Sequence, residues 1–102
     1  MAGLGKLLKQ AKKMQQKVEE ANEVLTATVL DVSAGGGAVT IKINGQGEFL
    51  DLKLDPEFAK EDPEILQETL LEAIKDAHAK AKALNEEKMG EATAGMQMPG
   101  LM

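Results

Sequence analysis

The chain has no cysteine, tryptophan, tyrosine or arginine, and only two phenylalanines in 102 residues. Without cysteine there is no disulfide, no thiolate nucleophile and no cysteine-ligated zinc. Scarce aromatics leave a core of Leu, Ile, Val, Met and Ala, and no platform on which unpaired nucleobases could stack. Without arginine there is no planar fork for bidentate reading of guanine. No apolar run approaches the ~18 residues of a membrane span. The early lysines interrupt what would be the apolar stretch of a signal peptide. The length fits one domain with a small core. The expectation is a soluble, cytoplasmic protein with no membrane segment.

What is present is lysine, and it is unevenly placed. Lys6, Lys9, Lys12, Lys13 and Lys17 all precede Glu19, the first acid. Residues 1–18 therefore carry +5, and the remainder carries −10, giving the net charge of −5. Between the lysines runs a heptad series, Leu4, Leu7, Ala11, Met14, Val18, Ala21 and Leu25, the spacing of a helix seam that packs on another helix. At about 100° per residue, Lys6, Lys9, Lys13 and Lys17 cluster opposite that seam. The Debye length in the cell is about 8 Å and a 22-residue helix is about 33 Å long, so the far end of such a helix stays positive on an acidic molecule.

The pattern predicts an α+β chain: a long helix, a three-stranded antiparallel meander, a short helical turn and a second long helix. The first helix is expected over Gly3–Val24. Strands are expected over Leu25–Ser33, where Val29 and Leu30 compete for the buried face, over Ala38–Asn44, and over Glu48–Asp55. Gly35-Gly36-Gly37 forms the first turn. Asn44-Gly45-Gln46-Gly47 forms the second, because Asn-Gly tolerates positive φ. After a turn at Asp55-Pro56-Glu57-Phe58, Asp62 caps the last helix, Pro63 fills its first position and Glu64 meets its positive end. That helix runs to about Ala92 with a seam of Leu66, Leu70, Ala73, Ala77, Ala81 and Leu84. Leu71 and Ile74 widen its apolar face where it should lie on the sheet. Residues 1–94 form the domain, and 95–102 read as a flexible Met/Pro/Gly tail.

Both helices outrun a ~23 Å strand, so they should overhang the sheet. Uncovered seams and free sheet edges favour self-association, and a homodimer is expected. The residues expected in dimer or helix packing are Leu4, Leu7, Ala11, Met14 and Val18 on the first helix, and Leu70, Ile74, Ala77 and Leu84 on the last. Antiparallel packing would bring Lys80, Lys82 and Lys88 to the same extremity as Lys6, Lys9 and Lys13. A lysine-only surface holds phosphates as point charges and positions a protein on the backbone without reading much sequence. An anionic partner met through Lys6, Lys9, Lys12, Lys13, Lys17, Lys80, Lys82 and Lys88 is the expectation.

Other motifs read as structural. Gly3-Leu4-Gly5-Lys6 has no strand before it, as a phosphate-binding loop requires, and Gly45-Gln46-Gly47 lacks the third glycine of a dinucleotide site. A single histidine, His78, without cysteine makes a poor metal site. Asp55, Glu57, Glu61, Asp62 and Glu64 are explained by helix capping and solvation. No nucleophile–base–acid constellation stands out. No catalysis, cofactor, metal or small-molecule substrate is expected.

The order helix–three strands–helix resembles the YbaB/EbfC family of bacterial nucleoid-associated proteins. So do the basic start through Gln16, the Gly35-Gly36-Gly37 and Ile43-Asn44-Gly45 turns, and Leu54-Asp55-Pro56 with Asp62-Pro63-Glu64-Ile65-Leu66. Glu72-Ala73-Ile74-Lys75-Asp76-Ala77 and the Gly-Met-Gln-Met-Pro-Gly ending complete the likeness, which covers essentially the whole chain. The resemblance implies a tweezer-like homodimer with projecting arms that bind DNA in the nucleoid and influence gene expression. Glu48-Phe49-Leu50-Asp51 departs from it, since family members often carry basic residues there, and that hairpin loses its basis as a DNA contact. The alternative is a coiled-coil interaction module, resembling chaperone subunits such as prefoldin, that would hold a polypeptide at tips bearing Leu4, Leu8, Met89 and Met96.

Overall fold

The computed structural model describes residues 2–94. Helix α1 covers Ala2–Ala27, and strands β1, β2 and β3 cover Val29–Ala34, Val39–Asn44 and Phe49–Leu54. A 3-10 turn at Phe58–Lys60 precedes α2, Pro63–Thr93. The strands form one antiparallel sheet in the order β1-β2-β3. This is the expected order of elements. The tail expected from residues 95–102 lies outside the described residues.

The first boundary differs from the expectation: Leu25 and Thr26 are helical, and β1 starts four residues later. The hydroxyl of Thr26 donates to the Asn22 carbonyl at 2.9 Å, and that of Thr28 to the Val24 carbonyl at 2.6 Å. These bonds to the preceding turn accommodate threonine at a helix end, overriding its preference for strands. In β1 the choice of face is settled for Leu30: it packs half-buried on the core beside buried Val32 and Ala34, while Val29 is exposed.

One face of the sheet carries the core. Val32, Ala34, Val39, Ile41 and Ile43 pack against Ala73, Ala77 and Ala81 of α2, with Leu70 and Phe58 at the margin. The alanine stripe lets the helix approach the sheet closely, as its seam predicts. Leu66 and Leu84 of that seam are half-buried. Leu71 and Ile74, expected where the helix lies on the sheet, are both exposed, and Ile74 borders β3 without being covered by it. Asp62 occupies the cap position of α2 with Pro63 behind it, but its side chain makes no capping hydrogen bond. Its carbonyl accepts from Leu66 N–H at 3.1 Å.

The second hairpin is fastened to the end of α1. Asn44 is a buried polar residue. Its Nδ2 donates to the Thr26 carbonyl at 3.2 Å and to Glu48 Oε1 at 2.8 Å. Its Oδ1 accepts from the N–H groups of Gln46 and Glu48, both at 3.0 Å. Gly45 N–H donates to the Leu25 carbonyl at 2.8 Å. Positive φ falls on Gly47 (82°), not on Asn44 or Gly45. Glycine is required at 45 for another reason: a Cβ there would lie 2.6 Å from Leu25 Cδ2 and 2.9 Å from its carbonyl oxygen.

The molecule measures 70 × 26 × 16 Å with a radius of gyration of 19.8 Å. A compact 100-residue domain would have about 13 Å. The excess length comes from the two helices, which pack on each other and outrun the sheet.

Candidate nucleic-acid interface

The helices run antiparallel, and their shared length is limited. Ala92 near the end of α2 is buried, and Lys88, Glu91 and Ala92 line a hollow with Lys17, Glu20, Ala21 and Val24 of α1. On the α1 side Met14 and Val18 are half-buried. Every residue from Gly3 to Lys13 is exposed. A Cβ built on Gly3 or Gly5 meets nothing within 4 Å. The first three turns of α1 therefore project past the last described turn of α2 as an arm about 16 Å long.

Lys6, Lys9, Lys12 and Lys13 lie on this arm, and Lys17 stands at its base. Among the described residues the ion pairs involve Lys42, Lys53, Lys60 and Lys88, and none of these five. Lys42 shows the contrast. It sits opposite Asp31 in the strand register and donates to Asp31 Oδ1 at 2.8 Å, which raises its pKa above the ordinary lysine value. Its charge is matched by a neighbour; among the described residues those of the arm are not.

The lysines of α2 are distributed differently from the expectation. Lys88 lies beside Lys17, but also 3.7 Å from Glu91. Lys80 and Lys82 are not at the extremity with Lys6, Lys9 and Lys13. Lys80 Nζ reaches the Asp31 carbonyl of β1 at 3.4 Å. Lys82 lines a hollow of about 270 Å³ with His78, Asn85 and the Gly45–Gly47 turn. Both stand at the level of the sheet, because α2 has not yet left it at that point.

The expected seam also divides. Met14, Val18, Leu70 and Leu84 are half-buried and Ala77 is buried, whereas Leu4, Leu7 and Ala11 have no described residue covering them. Their series continues the heptads beyond the end of the helix that would complete the pair.

A second surface was not legible in the sequence. In β3, Leu52 and Leu54 lie opposite Ile41 and Val39, yet every residue of the strand is exposed. Packing of α2 on β1 and β2 leaves β3 as the uncovered edge. Leu50 is the extra residue of a bulge, between Phe49 opposite Ile43 and Asp51 opposite Lys42. Phe49, Leu50, Leu52 and Ile74 line an open hollow of about 360 Å³. The available signal was the run of apolar residues in β3 combined with the extra pair Leu71 and Ile74 on α2.

Among the described residues there is no group of His, Asp or Glu placed to hold a metal ion, and no helix long and apolar enough to cross a membrane.

The comparison with known proteins agrees with this architecture. The profile of the YbaB/EbfC DNA-binding family matches residues 1–96. The nucleoid-associated protein GOX0603 of Gluconobacter oxydans is 44% identical over 100 residues, covering 97% of this chain and 94% of that protein. The nucleoid-associated protein Atu0095 of Agrobacterium fabrum is 42% identical over 94 residues, covering 91% and 88%. Among solved structures, the uncharacterized protein HP0035 from Helicobacter pylori superposes with a TM-score of 0.72 at 29% identity, covering 95% of this chain and 97% of that one.

Proposed function

The chain belongs to the YbaB/EbfC DNA-binding family, and on that premise we propose that it is a homodimeric protein of the bacterial nucleoid that holds duplex DNA by the lysines of its projecting arms, with little preference for sequence. The observation that carries this reading is the arm itself: Lys6, Lys9, Lys12 and Lys13 on three exposed helical turns without an acid. Lysine offers compact charge to phosphate oxygens, and no arginine is present to read base edges. Lys17 and Lys88 extend the basic strip to the base of the arm. Lys80 and Lys82 stand apart from it, at the level of the sheet.

The dimer places β3 against β3 of a second copy. A free edge bearing Phe49, Leu50, Leu52 and Leu54 is a liability in a monomer. Leu71 and Ile74 extend the same apolar surface onto α2. Two arms then project from one body, and together they double the number of ammonium groups available to one duplex.

The direct test is the double substitution Lys9→Glu/Lys13→Glu, with duplex binding followed by fluorescence anisotropy and folding by circular dichroism. Both residues are exposed and unpaired with any described acid, so the helical signal should be unchanged. Binding should fall by more than about a hundredfold at low salt, since four contacts per dimer become repulsive. Unchanged affinity in this variant would remove the arms from DNA recognition.

A further inference from the structure

DNA does not account for the other side of the arm. Leu4, Leu7 and Leu8 are 63%, 51% and 60% exposed, and no described residue covers them. Taking Leu4 as the origin, Leu7, Leu8 and Ala11 fall within about 60° of it, while Lys6, Lys9 and Lys13 fall about 140–200° away. Lys12 lies at the border of the two faces, about 80° from Leu4. A duplex presents mostly phosphates and polar base edges, and little apolar surface for these leucines. A second arm laid on them would bring together two segments that each carry four lysines and no acid.

A helix with leucine on one side, lysine on the other and acids nowhere has the character of a segment that lies in the plane of a bilayer interface. Its apolar side enters the boundary between headgroups and acyl chains, and its lysines meet the headgroup phosphates. The border position of Lys12 suits a stem that lies along the apolar boundary while its ammonium reaches the headgroups. The acids of the molecule begin at Glu19, beyond the projecting segment, so the arm can reach a negative surface before the body is repelled. About 16 Å of helix is enough to lie on a membrane and too little to cross one.

We propose that residues 3–13 of α1 are also a docking segment for anionic lipid surfaces, using Leu4, Leu7 and Leu8 as apolar anchors and the lysines for charge. Because lipid and DNA share the lysines but not the leucines, the two activities can be separated and the two ligands compete for the arm.

The test is flotation of the full chain with vesicles containing phosphatidylglycerol, against vesicles of phosphatidylcholine alone, with duplex binding measured in parallel. The wild type should partition onto the anionic vesicles and at least about tenfold less onto the neutral ones, losing about fivefold for each lysine whose charge is removed. The variant Leu4→Gln/Leu7→Gln/Leu8→Gln keeps good helix formers at exposed positions. It should retain the circular dichroism spectrum and the DNA affinity of the wild type. Its vesicle partition should drop at least about a hundredfold, since each buried leucine is worth about tenfold or more. Absence of partition by the wild type, whether because the stripe is occupied by another part of the chain or by a second copy, would overturn the proposal. Equal partition by the triple variant would also overturn it, as adsorption by charge alone. Loss of DNA binding in a wild type that still floats would leave this inference standing and sink the DNA reading instead.

Discussion

At the scale of single residues, Asn44 and Gly45 join the hairpin to the helix. Asn44 spends both amide hydrogens and its carbonyl oxygen on the turn and on α1, so none of its polar atoms is left unpaired in a buried place. Gly45 fits only without a side chain, because the Leu25 backbone and side chain fill that space. Gly45→Ala should therefore destabilise the fold by about 1–3 kcal/mol, the range for overpacking a rigid site. In a domain of this size that lowers Tm by roughly 4–8 °C per kcal/mol. Thermal unfolding of the variant checks this, and a Tm within one degree or so of wild type would show that the hairpin can move away from α1. The sequence announces a turn here, since Asn-Gly is a strong turn pair. It does not announce why glycine is needed, because contact with Leu25, twenty positions earlier, is a tertiary fact.

At the scale of elements, periodicity carried the reading where it was strong. The Leu66–Leu84 seam of α2 packs with its alanines innermost, and β2 alternates as Val39, Ile41 and Ile43 require. It failed at the α1–β1 junction, where the hydroxyl of Thr26 bonds back within the helix and that of Thr28, just past its end, bonds to the last turn. It also gave no warning of the bulge at Leu50 or of the exposure of β3, because alternation says which residues share a face and not whether anything covers it. The uncovered strand leads to a prediction about assembly. Leu52→Lys places a charge on the open apolar hollow at a position that is itself 47% exposed, beside but outside the buried core. Sedimentation equilibrium should show a dimer for the wild type and a shift toward monomer for this variant. A wild-type monomer at micromolar concentration would contradict the proposed role of the β3 edge, and a variant dimer of undiminished stability would place the interface elsewhere.

At the scale of the whole molecule, the governing feature is segregation of charge along a 70 Å body. The net charge of −5 describes no part of it well. The lysine arm was legible in the sequence because it needs only a helix and a count of acids. Which α2 lysines join it was not, because that depends on where α2 leaves the sheet; Lys80 and Lys82 lie too early along the helix, and Lys88 reaches the base of the arm. Since screening acts over about 8 Å in the cell, acids on the far side of the sheet contribute little to the potential around the arm.

The measurement that bears most directly on this account is duplex-DNA affinity across a salt series. With about six phosphates neutralised per dimer, log affinity should fall against log salt with a slope of about −5, or about a thousandfold between roughly 50 and 200 mM. A slope near zero, or no binding even at about 10 mM ionic strength where screening extends to about 30 Å, would contradict it.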